Sequence, residues 1–262
     1  MTYQNHNSIS YLANKIYSDY DEALNACNGI GYSYQKLTDA VVKKNLIARQ
    51  SVTQESFLSG DVSRTILGLG FAFNLSSVRV LDFGGGGGYH YTLAKHVLGD
   101  KCEIKWNIVE TDSMCKSGAI IADQSLKFFS DINTAFTDLG EIDLILTSSA
   151  LQYCSDPLLY LRNLLDISAR YIYITRTPLH SGDKKIISIQ SSMLSENGPG
   201  SLPSDYEDQE ILYPISYIPI FEIERIIKEK YQIKFKIKEE SANLFIENIP
   251  VNEYFGYFCE LK

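Results

Sequence analysis

Apolar residues recur at helical spacing through the first 75 positions: Ile9, Leu12, Ala13 and Ile16, then Leu37, Val41 and Leu46. A third amphipathic run spans Val62 to Phe73, and the break Asn28-Gly29-Ile30-Gly31 is a stop signal between the first two. These spacings predict a helical N-terminal extension over 1–75. From residue 78 the period changes. VRVLDF (78–83), IKWNIVE (104–110), LKFFSD (126–131), IDLILTSS (142–149) and YIYIT (171–175) are short apolar runs. YTLAKHVL (91–98) and PLLYLRNLLDIS (157–168) are helical stretches among them. Apolar strands alternating with helices predict a parallel α/β sheet covered on both faces. At the end, YQIKFKIKEE (231–240) and EYFGYFCEL (253–261) have no helix between them. Such strands pair antiparallel or lie apart, so a mostly parallel sheet finishing on an antiparallel strand is expected over 76–262.

The stretch 178–219 breaks this rhythm. It holds five of the seven prolines, Pro178, Pro199, Pro203, Pro214 and Pro219, which argues against regular helix. It reads either as a surface excursion or as an insertion covering a substrate.

Composition narrows the class without naming a function. The chain has 262 residues, 45% hydrophobic and 21% charged, enough apolar surface for a real core. Asp and Glu outnumber Lys and Arg by 32 to 24, a net charge of −8 that argues against non-specific nucleic-acid binding. The N-terminus MTYQNHNSIS lacks a basic segment followed by an apolar one, and the apolar stretch Ile66–Leu75 is too short for a membrane span. The five cysteines, Cys27, Cys102, Cys115, Cys154 and Cys259, are scattered and odd in number, as expected of reduced thiols in a cytoplasm.

The chemistry-bearing segment is LDFGGGGGYHY (81–91), a strand running into glycines and then a helix. Glycines let the backbone turn tightly and let a ligand approach the main chain, and the helix beyond offers free N–H groups. The dinucleotide fingerprint G-x-G-x-x-G/A needs a small third residue. That position falls on Tyr89, His90 or Tyr91 in the three possible registers, and all three fail. D-x-G-x-G-x-G instead fits at Asp82, Gly84, Gly86 and Gly88. Glu110 ends the next strand 22 residues after Gly88, where a carboxylate accepts both hydroxyls of a ribose. Dinucleotide enzymes use such an acid too, so Glu110 alone does not choose the cofactor.

The D-x-G-x-G-x-G segment resembles motif I of class I S-adenosylmethionine-dependent methyltransferases, and the resemblance covers roughly 76–262. It implies a Rossmann-like α/β fold, a seven-stranded sheet of order 3-2-1-4-5-7-6 with strand 7 antiparallel, and S-adenosyl-L-methionine as cofactor. It implies further that Asp131, just past the third strand, contacts the adenine. Ser148 would lie near the methionine part, with Leu151-Gln152-Tyr153 beside the methyl group. A narrower likeness is carried by NGIGYS, DFGGGGGYHY, LTSSALQYCSDP, YIYITRTP and YPISYIPIF. These segments look like a bacterial methyltransferase family whose genes are often found among those for surface polysaccharides. Gly87 is a mild departure from that family's loop. The likeness implies a glycan-precursor acceptor, a sugar or nucleotide-linked sugar methylated on oxygen.

Methyl transfer to a hydroxyl needs alignment, exclusion of water and, where a base helps, a histidine within reach. His6 lies near the N-terminus and His96 late in a helix, whereas His90 and His180 fall at the carboxyl edge of the expected sheet, where sites form. Tyr153 stands where many related methyltransferases carry a histidine. The catalytic candidates are therefore His90, Tyr153 and His180, with proximity alone as the alternative. Arg176 either holds a phosphate or carboxylate or makes an ordinary ion pair. Tyr206, Tyr213 and Tyr217 either face a sugar or pack the insertion. His90 and His96 are six apart, off the spacing of helical metal ligands, so a metal-independent enzyme is expected. The alternatives are methylation of another small molecule on O or N, and a cofactor-binding scaffold or sensor without turnover.

Overall fold

The computed structural model describes residues 15–27, 31–52, 60–72, 76–99, 102–239, 244–251 and 253–262. Ile9, Leu12, Ala13, His6 and Asn28-Gly29-Ile30 lie outside them. Among the described residues three α-helices precede the first strand: α1 (Tyr20–Ala26), α2 (Gln35–Ser51) and α3 (Gly60–Ala72). Ile16 is not helical. Its neighbour Tyr17 instead makes an isolated antiparallel bridge to Ile187, and α1 starts only after Asp19, whose carboxylate accepts the Glu22 N–H as a cap.

Strands and helices then alternate: β1 (Ser77–Phe83), α4 (Tyr89–Leu98), β2 (Glu103–Val109), α5 (Asp112–Gly118), β3 (Leu126–Phe129), α6 (Ile132–Leu139), β4 (Leu144–Ser148), α7 (Pro157–Asp166) and β5 (Tyr171–His180). Next come β6 (Ile186–Met193), β7 (Glu210–Pro219), α8 (Ile220–Lys230), β8 (Tyr231–Glu239), the short pair β9 (Phe245–Ile246) and β10 (Ile249–Pro250), and β11 (Glu253–Leu261). The main path of the sheet is β3-β2-β1-β4-β5-β11-β8. That is the expected 3-2-1-4-5-7-6, with β11 antiparallel to both neighbours.

The sheet has nine strands rather than seven, because 178–219 is mostly β structure. β6 and β7 form an antiparallel hairpin, and the end of β7 pairs parallel with Leu179 and His180 of β5. Pairing of β5 with β4 ends at Thr175 and with β7 begins at Leu179. Pro178 thus falls where one flank of the strand has no partner, a position that tolerates a missing N–H. Pro199 and Pro203 lie in the connection between β6 and β7.

Each face of the sheet buries its own core. One side joins Leu37, Val41 and Leu69 of the leading helices to Val80, Trp106 and Tyr173. The other joins Leu161, Leu164 and Ile223 of α7 and α8 to Leu81, Ile145 and Ile172. Two-faced burial explains the unbroken apolar strands at the centre. α2 is also tied to the β6–β7 connection by polar contacts. The buried Lys44 Nζ donates to the carbonyls of Ser195 and Asn197, each at 2.6 Å, and Tyr32 Oη donates to Asn197 Oδ1 at 3.1 Å. Among the described residues no helix is long and apolar enough to cross a membrane.

Candidate active site

The glycine run leaves the end of β1 and turns into α4. Gly84, Gly86 and Gly88 have φ of +73°, +54° and +80°, the left-handed region that side chains rarely enter. The alternation follows the D-x-G-x-G-x-G spacing. The loop closes on itself through Gly88 N–H to Gly85 O at 3.0 Å, and Gly84 N–H bonds Val109 O of the neighbouring strand at 2.9 Å.

Glu110, one residue past β2, meets this loop. Its carboxylate accepts the Gly86 N–H at 3.1 Å and the Thr111 N–H at 3.0 Å. Burial pushes the carboxyl above the ordinary carboxylate range; the two N–H donors pull back and the charge of Asp82 adds to the rise. Gly84 to Gly87 and Glu110 line a cavity of about 1500 Å³ at the carboxyl edge of the sheet.

Asp82 is fully buried and does not belong to the cavity wall. Its Oδ2 accepts the Trp106 indole N–H at 3.0 Å and lies 3.5 Å from His90 Nδ1. Asp82 therefore supports the loop from behind. His90, in the first turn of α4, does line the cavity, with Asp82 at its back. Asp131 and Ser148 line it as well. The Asp131 Oδ1 is engaged as the cap of α6, accepting Thr134 N–H and Oγ1 at 2.8 Å each. Those bonds hold its carboxyl below the usual range.

The far wall is tyrosine. Tyr153, in a 3-10 turn over Leu151–Tyr153, and Tyr213 of β7 meet edge to face with ring centroids 5.2 Å apart. Tyr32 packs on both, at 4.8 and 4.6 Å. Each hydroxyl has a partner: Tyr153 donates to Gln190 Oε1 at 3.0 Å, Tyr32 to Asn197, and Tyr213 pairs with Ser192 Oγ at 2.8 Å. Burial raises the pKa of all three phenols; for Tyr153, bonds with Ser149, Gln152 and Gln190 and the Arg176 charge pull the other way. Arg176 lines the cavity with its backbone at φ +56°, beside Ser149 at +55° on the next strand tip. The buried Gln152 amide reaches both, donating to Ser149 Oγ at 2.9 Å and Arg176 O at 3.3 Å.

Three candidates fall elsewhere. His180, buried at the end of β5, accepts the Gly182 N–H on Nδ1 at 3.1 Å, which turns its ring into the following bend and out of the cavity wall. Tyr217 is buried with Ile186, Ile215, Ile246 and Val251. Tyr206 packs against the core with Lys43 Nζ 4.9 Å over its ring. Conversely, Tyr20, Tyr32, Asn45, Gln190 and Asn197 line the cavity without having stood out in the sequence. The turn Gly31-Tyr32-Ser33 belongs to the noticed NGIGYS segment, and nothing local to it marks Tyr32 as a wall residue. Among the described residues no cluster of three or more His, Cys, Asp or Glu has the geometry of a metal site.

No family model matches the sequence, and no curated protein is similar to it by sequence comparison. Solved structures do share the architecture. The [4+2]-cyclase SpnF is similar over 90% of this chain and 96% of its own, at 11% identity and a TM-score of 0.52. Together with the sheet order, that likeness decides the architecture. The chain has the class I methyltransferase fold. Magnesium protoporphyrin IX methyltransferase ChlM from Synechocystis PCC 6803, solved with bound SAH, matches at 12% identity and a TM-score of 0.48, over 87% of this chain and 97% of that one. An S-adenosylmethionine-dependent methyltransferase from Clostridium acetobutylicum ATCC 824 matches at 13% identity and 0.46, over 84% and 96%.

Proposed function

We propose that the cavity binds S-adenosylmethionine and methylates a small polar acceptor on oxygen, a sugar or nucleotide-linked sugar of cytoplasmic surface-glycan assembly. The observation that carries this reading is the junction of Gly86 N–H with the Glu110 carboxylate at 3.1 Å on the cavity rim. There, a stretch of main chain free of Cβ atoms meets a carboxylate at the tip of the next strand. The residues fit the cofactor. Glu110 has acceptor capacity left for ribose hydroxyls, Asp131 stands on the adenine side, and Ser148 lies across the loop toward the methionine end. When bound, the cofactor supplies a methyl group activated by a sulfonium.

The chain's part is to align the acceptor and take its proton. The acceptor oxygen gains the methyl group and loses a proton, which His90 accepts with the Asp82 carboxylate 3.5 Å behind its Nδ1. Tyr153 and Tyr213 offer flat faces with bonded hydroxyls to a sugar ring, and Arg176 supplies a cation for an acidic group on it. The fold hosts other chemistry, as the [4+2]-cyclase SpnF shows, so the reading rests on this site and not on architecture. Calorimetric titration with S-adenosylhomocysteine is the first test. The second is incubation with labelled cofactor and a panel of free and nucleotide-linked sugars, read by mass spectrometry. Saturable binding and an O-methylated sugar are expected. Absence of binding would overturn the cofactor, and a product methylated only on nitrogen would overturn the acceptor.

A further inference from the structure

α2 does more than cover the sheet. Its side chains reach the glycine loop at two points. Val41 Cγ1 stands 3.8 Å from where a Cβ on Gly86 would lie, and a Cβ on Gly87 would fall 2.3 Å from Asn45 Nδ2 and 2.9 Å from Asn45 Cγ. Gly87 is therefore a glycine because Asn45 occupies the space of a side chain. Its φ is not positive, so no backbone strain asks for glycine there.

Asn45 is only 1% exposed, yet it lines the cavity. Its Nδ2 donates to the Val41 carbonyl at 3.0 Å, one turn back in the helix. That contact fixes the amide orientation, since a carbonyl can face only the N–H end. The other end, Oδ1, is buried and has no hydrogen-bond partner among the described residues. A buried amide oxygen without a donor costs stability, and native interiors keep few of them. It is an acceptor waiting for a donor that the described residues do not provide.

The sheet order says which part of a ligand arrives there. Asp131, Glu110 and the glycine loop follow β3, β2 and β1, which are consecutive neighbours. A nucleoside with its ribose on Glu110 and its base toward Asp131 sends its remaining end over the glycine loop, against α2. In S-adenosylmethionine that end carries one donor group, the ammonium. We propose that Asn45 of the N-terminal extension completes the cofactor site, its Oδ1 accepting a hydrogen bond from the ligand's ammonium. This rests on the cofactor assignment above, and it makes a helix outside the α/β repeat part of the binding site.

The test is a ligand-truncation cycle measured by calorimetry, with no turnover needed. The two ligands are S-adenosylhomocysteine and an analogue of it that keeps the carboxylate but lacks the ammonium. Asn45→Ala should weaken the first by about 10- to 100-fold, the range for a hydrogen bond to a charged group, and leave the second unchanged. Alanine is favourable in a helix interior, so the variant should fold. Gly87→Ala should reproduce the loss by displacing the amide, and should cost nothing further when added to Asn45→Ala. Equal weakening of both ligands, or no weakening of the first, overturns the proposal. Failure of the unmodified protein to bind either ligand overturns the cofactor reading instead.

Discussion

Gly84 and Gly86 form a matched pair for separating the work of the loop in folding from its work in binding. Both have positive φ, +73° and +54°, so alanine at either position suffers the same kind of backbone strain, about 1–2 kcal/mol. They differ in what the new Cβ meets. At Gly84 it would lie 2.1 Å from Ala150 Cβ, and the tip of β4 must shift to make room. Overpacking of that kind adds roughly 1–3 kcal/mol. At Gly86 the sole neighbour within 4 Å among the described residues is Val41 Cγ1, at an ordinary 3.8 Å, and the group projects toward the cavity rim. Gly84→Ala should therefore lose about 2–5 kcal/mol of unfolding free energy and Gly86→Ala about 1–2 kcal/mol. At roughly 2–4 °C per kcal/mol for a chain of this size, the two midpoints should separate clearly. The order reverses for binding per unit of stability lost: Gly86→Ala should reduce affinity for S-adenosylhomocysteine, and Gly86→Val should abolish it in a folded protein. Urea unfolding and calorimetry on the same preparations decide the matter. Equal destabilisation by the two alanines would refute the steric argument, and undiminished binding by Gly86→Val would refute the loop as the ligand's seat.

Glu110→Gln should lower affinity for S-adenosylhomocysteine by roughly 1.5–3 kcal/mol, the worth of a charge-assisted bond. Burial raises this carboxyl in the folded state, so the ionised form penalises folding increasingly as pH climbs from the ordinary Glu value through the folded one. The Gln variant should consequently be at least as stable as the parent at neutral pH and lose that advantage in acid, as urea titrations at two pH values will show. Asp131 is held below its usual range by capping α6, and its contribution is present above the ordinary Asp value and lost as pH falls through the folded one. Asp131→Ala should lower the unfolding midpoint at neutral pH and flatten the acid side of the stability profile. His90→Asn should cut kcat by about 10²–10⁴-fold and remove the acid limb of the pH–rate profile while leaving cofactor affinity intact. A limb that persists would exclude His90 as the titrating base. Tyr213→Ala, and not Tyr217→Ala, should raise the acceptor's KM.

The alternation of strands and helices and the antiparallel end were legible because side-chain patterns carry them, whereas the strand order came only with the resemblance carried by D-x-G-x-G-x-G. The apolar runs at 78–83 and 104–110 mark buried strands, and the runs at 231–240 and 253–261, with no helix between them, mark the antiparallel pair. Gly84, Gly86 and Gly88 were legible as turn positions because alternate positive φ values need alternate glycines; Gly84 and Gly86 line the cavity, whereas Gly88 faces Ile108 and Leu126. What failed was distance. Tyr213 and Tyr217 share a face of one strand, yet four residues at about 3.3 Å each carry Tyr217 past the cavity and into the Ile186–Val251 cluster. His180 sits at the right edge, but its ring is claimed by the Gly182 N–H, a bend contact that no spacing foretells. Asn45 was missed for another reason. Helical periodicity tells which face of α2 is buried but not where along the sheet the helix crosses, and only that crossing brings Asn45 to Gly87.

Trp106 is the sole tryptophan among 262 residues. It is fully buried, and its indole N–H rests on the Asp82 carboxylate directly beneath Gly85. The molecule thus carries a single indole wired to the underside of the glycine loop. Its emission should be that of a dry, quencher-shielded indole. Any ligand that presses on the loop changes the field and hydrogen bond that the indole feels. Excited selectively at the red edge of the absorption band, where the tyrosines are silent, the unmodified protein is its own optical sensor of what enters the cavity, and mixing experiments can time each arrival without a label.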